Sequence, residues 1–204
     1  MLRNLIGALV GLAFLAMAGT ANATTITASC LDGDPAGQCP LAIPPSGTFG
    51  TTTSDINISE SGTITDLNVY VDLTHTWVGD LEISLVAPDG TQILLFGNWG
   101  DSGDNLTDTI FDDEAGTNIS AGSAPFTGSF IPIESLSAFD GFSITGLWTL
   151  IIDDLASSDI GELREWRIIA EVGDVSVPEP GTLALLGAAL AGLGLFYRRR
   201  RLVH

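Results

Sequence analysis

The sequence predicts an all-β domain, an antiparallel sandwich or barrel, with an apolar segment at each end of the chain. Two observations carry that expectation. Between residues 54 and 172, apolar side chains recur at every second position in short segments separated by Gly, Asp and Pro. No stretch in the same region repeats apolar residues at helical spacing.

At the N-terminus, Arg3 precedes an apolar run from Leu5 to Ala18, and Ala21-Asn22-Ala23 follows. This is the layout of a secretory signal peptide with a small-residue cleavage site. Residues 1–23 are therefore expected to be removed and the chain exported. Residues 24–53 are rich in Thr, Gly and Pro and read as an irregular lead-in. They hold the two cysteines, Cys30 and Cys39. Export places both in an oxidising compartment, where a local disulfide is expected. Two thiols without a neighbouring His make half a zinc site at best, and thiol catalysis would lack a partner base.

The strands follow in order. Leu67, Val69, Val71 and Leu73 alternate with Asn68, Tyr70 and Asp72, the period of a half-buried strand. Leu81, Ile83 and Leu85 repeat it, and Pro88-Asp89-Gly90 turns the chain. Ile93–Phe96 is a continuous apolar run, expected to be buried on both faces, and Leu147–Ile152, broken only by Thr149, is another. In the last strand Trp166, Ile168, Ala170 and Val172 alternate with Glu165, Arg167 and Glu171. The domain is thus expected to span 54–172, followed by a linker at 173–177.

The C-terminal segment, 178–204, opens on Pro178-Glu179-Pro180. It continues as an uncharged run from Leu183 to Tyr197 and closes on Arg198, Arg199, Arg200 and Arg201. The run reads as a single membrane helix over about 183–197, shorter than the roughly 20 residues that span a bilayer comfortably. Phe196 and Tyr197 suit the interface, and the Arg cluster should stay cytoplasmic. Gly187, Ala191 and Gly194 would let another helix pack closely. Pro-Glu-Pro, apolar helix and Arg tail, in that order, resemble the PEP-CTERM sorting signal of bacteria. The resemblance implies processing by an exosortase, a membrane protease-transpeptidase. It also implies a transient inner-membrane anchor before delivery to the cell surface or beyond.

Charge narrows the function. The chain carries 25 acidic residues against seven Arg and no Lys, a formal net charge of −18. Only Glu179 among the acids lies outside 24–176, and only Arg164 and Arg167 among the cations lie inside it. Nucleic acid is excluded as a partner, since phosphate binding demands the opposite sign. Such a surface stays soluble by repulsion and attracts metal cations.

Four segments carry a second resemblance. They are Leu73-Thr74-His75-Thr76-Trp77-Val78-Gly79-Asp80-Leu81-Glu82-Ile83, then Leu85-Val86-Ala87-Pro88-Asp89-Gly90-Thr91, then Gly146-Leu147-Trp148-Thr149-Leu150-Ile151-Ile152-Asp153-Asp154, and finally Asp159-Ile160-Gly161-Glu162-Leu163-Arg164-Glu165-Trp166. In order and spacing they resemble the P/Homo B domain, the proprotein convertase P-domain. The resemblance implies a jelly-roll-type antiparallel β-sandwich that accompanies a protease in proprotein convertases and in many secreted bacterial proteases. This chain is too short to hold such a protease beside it. His75 is the only His in the mature domain, near Asp72 and Asp80 in sequence, but no Gly-x-Ser-x-Gly supplies a nucleophile. It is expected to be a hydrogen-bonded structural residue, and the chain is not expected to be an enzyme.

Three groups remain as candidate binding residues. Asp101, Asp104, Asp108, Asp112, Asp113 and Glu114 crowd one stretch, with Gly97, Gly100 and Gly103 for flexibility and Asn98 and Asn105 for amide oxygens. Calcium takes six to eight oxygens at loose geometry, so the five aspartates are its expected ligands, against a solvated acidic loop. Asp153, Asp154 and Asp159 form a second, weaker set. Trp77 and Trp99 stand in loop-like contexts, and Trp99, outside the family motif, is the candidate for stacking on a sugar ring. Three readings follow: a non-catalytic surface or matrix protein associated with exopolysaccharide and biofilm, an accessory module for a separately encoded secreted protease, and a carbohydrate-binding sandwich.

Overall fold

The computed structural model describes residues 23–33, 35–44, 48–173, 187 and 190. Among these residues the chain forms two packed sheets. The spine of the first is an antiparallel pair, β4 (Thr63–His75) and β10 (Gly161–Gly173), which runs from Gly161 opposite His75 to Gly173 opposite Thr63 with register shifts between Leu163 and Glu165 and between Glu171 and Val172. Their alternating pattern sends Leu67, Val69, Val71 and Leu73 inward with Trp166, Ile168, Ala170 and Val172. A strand with one buried face tolerates no slip in register, because a shift of one residue would turn every apolar side chain to water.

Strands β1 (Thr24–Ser29) and β2 (Leu41–Ile43) line the outer edge of β10. On the other side β4 pairs with β7 (Leu106–Phe111), which pairs in parallel with β8 (Phe126–Phe130). The second sheet runs β3 (Gly50–Ile58), β9 (Gly146–Asp154), β5 (Leu81–Val86), β6 (Gln92–Gly97), antiparallel throughout. The architecture is the all-β, largely antiparallel sandwich that the alternation predicts, with β7–β8 as a parallel exception.

The core lies between the sheets. Trp148 and Trp166 are its largest fully buried side chains. Each indole N–H has an acceptor, Ile144 O at 2.8 Å for Trp148 and Ser54 Oγ at 2.8 Å for Trp166. That satisfaction is what permits so large an amphipathic ring to be buried. Phe139 meets Trp148 edge-on, with ring centroids 5.2 Å apart.

Two expectations need correction. Residues 24–53 are not an irregular lead-in, because β1, β2 and the start of β3 fall within them. Thr24 to Ser29 pair residue by residue with Val172 to Arg167, so the edge of β10 orders a segment that shows no apolar alternation of its own. Cys30 and Cys39 are joined in a disulfide with Cα atoms 5.6 Å apart. Leu147–Ile152 is buried on one face only: Trp148, Leu150 and Ile152 point inward and Leu147 is 48% exposed. In Ile93–Phe96, by contrast, a bulge between Ile83 and Ser84 of the partner strand lets the consecutive Leu95 and Phe96 both reach the core.

Residues 1–22 of the expected signal peptide, the expected linker beyond Gly173, Pro178, Glu179, Pro180 and Arg198 to Arg201 lie outside the described residues. Gly187 and Leu190 are helical. Among the described residues no helix is long and apolar enough to cross a membrane.

Candidate functional site

The residues that carry most chemistry gather at the end of the sandwich where β4 and β9 finish and β5, β7 and β10 begin. His75 closes β4 opposite Gly161 of β10. A Cβ on Gly161 would overlap the Thr74 carbonyl oxygen, so only glycine lets the two strands meet there. The chain then makes a 3-10 turn over Val78–Asp80. The loop after β6 is stapled to that turn: Val78 N donates to Gly103 O at 2.9 Å, Gly79 N to Asp101 O at 3.1 Å, and the Asn98 side chain to Gly79 O at 3.1 Å. His75 and Asn105 close the loop from the other end, through His75 N to Asn105 Oδ1 at 3.0 Å and Asn105 N to His75 O at 3.1 Å.

The His75 ring is fully buried against Asp154, equally buried, with Nε2 3.4 Å from Oδ2. Nδ1 lies 2.9 Å from the Trp77 carbonyl oxygen and 3.3 Å from the Trp77 amide nitrogen. The contact brings the end of β4 in one sheet against the end of β9 in the other, and among the described residues neither Nε2 nor Oδ2 has a hydrogen-bond partner. Asp154 Oδ1 accepts from Ala156 N at 3.2 Å. Asp80 stands beside the pair, its pKa pushed up by burial and then by the carboxylates of Asp154 and Asp159, against the pull of His75. Nδ1 is engaged by the Trp77 backbone. Asp72, near His75 in sequence, points to the opposite face of the sheet and lies 3.8 Å from Arg164.

The acidic stretch is not one loop. Leu106 and Phe111 are buried, so their segment becomes β7 and divides the aspartates. The strand alone separates its two ends by roughly 17 Å. Asp101 and Asp104 stay exposed before it. Asp108 lies in it, at φ 50°, and accepts the Tyr70 hydroxyl at 2.7 Å. Asp112 accepts Glu114 N at 2.8 Å. Asp113 accepts Leu136 N at 3.0 Å, Ser137 N at 2.8 Å and the Ser135 hydroxyl, and so orders the 3-10 turn over Leu136–Phe139. Asp153 and Asp154 point to opposite faces of β9, and Asp159 accepts the Thr76 hydroxyl at 2.8 Å. Among the described residues no three His, Cys, Asp or Glu side chains converge as metal ligands. The carboxylates predicted to hold calcium therefore do not fit it as a set. Calcium and magnesium at matched ionic strength should raise the melting temperature equally, by screening repulsion between acids. A calorimetric scan in which calcium alone stabilised would restore a specific site.

Both domain cations are engaged on the first sheet. Arg167 holds Glu165 through two hydrogen bonds, with Nη2 to Oε2 at 2.8 Å, and lies 4.5 Å over the Tyr70 ring. The guanidinium is the main reason the Glu165 pKa is lowered, aided by the Ser29 hydroxyl and opposed by burial. Burial, the hydrogen bond to Asp108 and the carboxylates of Asp108 and Asp72 push the Tyr70 phenol up to about 12. Because the folded value is raised, the stability Tyr70 contributes is present below pH 10 and lost as pH rises through about 12. An absorbance titration should show this late phenolate step, and Tyr70→Phe should abolish it.

Trp77 and Trp99 are 42% and 43% exposed. Trp99 sits on a concavity of about 280 Å³ with Asn118, Ser120, Pro132 and Ile133. Sequence reasoning reached Trp99 but not the other walls, which come from segments beyond β7. It also reached Asp154 only as a weak calcium ligand, because nothing local pairs it with His75.

Residues 64–170 match the proprotein convertase P-domain family, and residues 176–201 match the PEP-CTERM protein-sorting motif. The chain is 33% identical over 100 residues to leupeptin-inactivating enzyme 1 of Streptomyces exfoliatus, across 49% of this chain and 17% of that protein. It is 30% identical over 129 residues to the transglutaminase-activating metalloprotease of Streptomyces mobaraensis, across 63% and 14%. It is 30% identical over 114 residues to a calcium-dependent protease of Trichormus variabilis, across 54% and 14%. The chain thus spans only 14% to 17% of the length of these relatives.

Proposed function

We infer that this chain, which belongs to the proprotein convertase P-domain family, is a non-catalytic accessory module that assists a separately encoded secreted protease by binding it. The PEP-CTERM motif marks the protein as exported and sorted by an exosortase. The observation that carries the accessory reading is where the resemblance falls. The stretch this chain shares with the two proteases and with leupeptin-inactivating enzyme 1 is a small part of each, and the P-domain match here covers residues 64–170. The full burial of His75, with Nδ1 held at the Trp77 carbonyl, supports a scaffold rather than a reacting centre.

Thermal inactivation of secreted proteases from the same host tests this reading. Adding the purified chain should prolong the half-life of one of them. No effect on any secreted protease would overturn the reading.

A second reading, a matrix protein associated with exopolysaccharide, rests on charge. With Arg164 near Asp72 and Arg167 on Glu165, the acids dominate the domain's surface. Divalent cations could bridge such a surface to anionic polysaccharide. Co-sedimentation with the host's exopolysaccharide that is lost on chelation would support it. Sedimentation that ignores both polymer and cation would contradict it.

A further inference from the structure

We propose that the concavity beside Trp99 binds a single neutral pyranose ring of a glycan. The site is separate from the protease-binding reading and does not depend on it. A pyranose presents a face of C–H groups and a rim of hydroxyls, and the concavity answers both. The exposed part of the Trp99 indole, with Pro132 and Ile133, offers an apolar platform. The Asn118 amide offers two donors and an acceptor, and the Ser120 hydroxyl offers one donor and an acceptor. Among the described residues neither of these side chains makes a hydrogen bond, so both are available to a ligand.

The walls are built before any ligand arrives. Ile133 N donates to Leu95 O at 3.2 Å and Glu134 N to Leu94 O at 2.9 Å, which staples the segment before the Leu136 turn along the free edge of β6. Ile119 N then donates to Ile131 O at 2.9 Å, and the Ile119 side chain is buried, fixing Asn118 and Ser120 beside that segment. A Cβ on Gly97 would press Ile133 Cδ1 at 3.2 Å, so the bare backbone there keeps the wall in place. A preformed site spares the ligand the cost of ordering it.

Charge and size set the class. None of the lining residues is charged, yet the surrounding domain is rich in carboxylates. A uronate or sulfated sugar would be repelled, and a neutral ring would not. The volume, about 280 Å³, lies just below the range of drug-sized ligand sites, about 300–1,000 Å³, which suits one ring rather than an extended oligosaccharide.

The test uses the full chain in a detergent without a sugar headgroup. Its probes are the methyl pyranosides of glucose, galactose and mannose, with sodium glucuronate as the charged comparison. Saturation-transfer NMR and calorimetric titration should show one of the neutral glycosides binding more tightly than glucuronate. Trp99→Ala should weaken it about tenfold, consistent with the loss of an aromatic contact. Trp99→Phe should retain part of the affinity, and Trp77→Ala should leave it unchanged. The Trp99 variants should keep the wild-type melting temperature, since the side chain is half exposed. Failure of all three neutral glycosides, equal binding by Trp99→Ala, or a preference for glucuronate would each overturn the proposal. Glycoside binding without any effect on a protease would sink the accessory reading alone.

Discussion

Asp154→Ala will destabilise the domain by about 1–3 kcal/mol, the usual cost of leaving a buried polar group without its neighbour. For a chain of this size that lowers the melting temperature by roughly 5 °C. The cause is positional. Asp154 is the last residue of β9 and His75 the last of β4, so their contact at 3.4 Å joins the two sheets at one end of the core. Neither group has water to fall back on, because both side chains are fully buried. His75→Ala leaves the buried Asp154 side chain without that neighbour and should cost a similar amount. A His75→Leu/Asp154→Leu double variant should cost much less than the two single alanine variants added together, because it removes both buried polar groups at once. Denaturant titration of the three variants decides the matter. A loss below about 1 kcal/mol for Asp154→Ala would show that the pair is not coupled in the folded protein.

Trp166→Ala should be more severe, at about 3–5 kcal/mol. Trp166 is fully buried, and its indole crosses from β10 to Ser54 of β3. Its backbone is engaged as well: Cys30 N donates to Trp166 O at 3.1 Å, and Trp166 N donates to Cys30 Sγ at 3.2 Å. The side chain thus fills the core while the main chain holds the disulfide-closed segment to the sheet. Trp166→Phe separates the contributions. It keeps most of the apolar volume and loses the indole N–H, so it should cost about 1–3 kcal/mol. Equal losses for alanine and phenylalanine would mean that the hydrogen bond, rather than packing, dominates at this position.

The sheet spine was legible because its periodicity is internal to each strand. Leu67, Val69, Val71 and Leu73 alternate without interruption, as do Trp166, Ile168, Ala170 and Val172, and both sets are buried. The Thr24–Ser29 strand was not legible, since it is ordered by pairing along β10 and carries little apolar pattern of its own. The acidic stretch misled for the opposite reason. Its aspartates dominate the composition, but the buried Leu106 and Phe111 decide the conformation. The partnership of His75 with Asp154 depends on how two sheets stack, and neither residue's neighbours in sequence report it. Trp99 could be singled out as a free aromatic, whereas Asn118, Ser120 and Ile133 become its neighbours only through the edge of β6.

In the function proposed above, this sandwich acts by binding a protease and performs no proteolysis itself. The direct measurement is secreted protease activity in a host strain lacking the gene, before and after purified chain is added back. The predicted result is reduced activity in the deletion strain, recovery on addition, and no hydrolysis of the same substrate by the chain alone. Undiminished activity in the deletion strain, or hydrolysis by the purified chain that survives His75→Ala and every protease-free preparation, would contradict it.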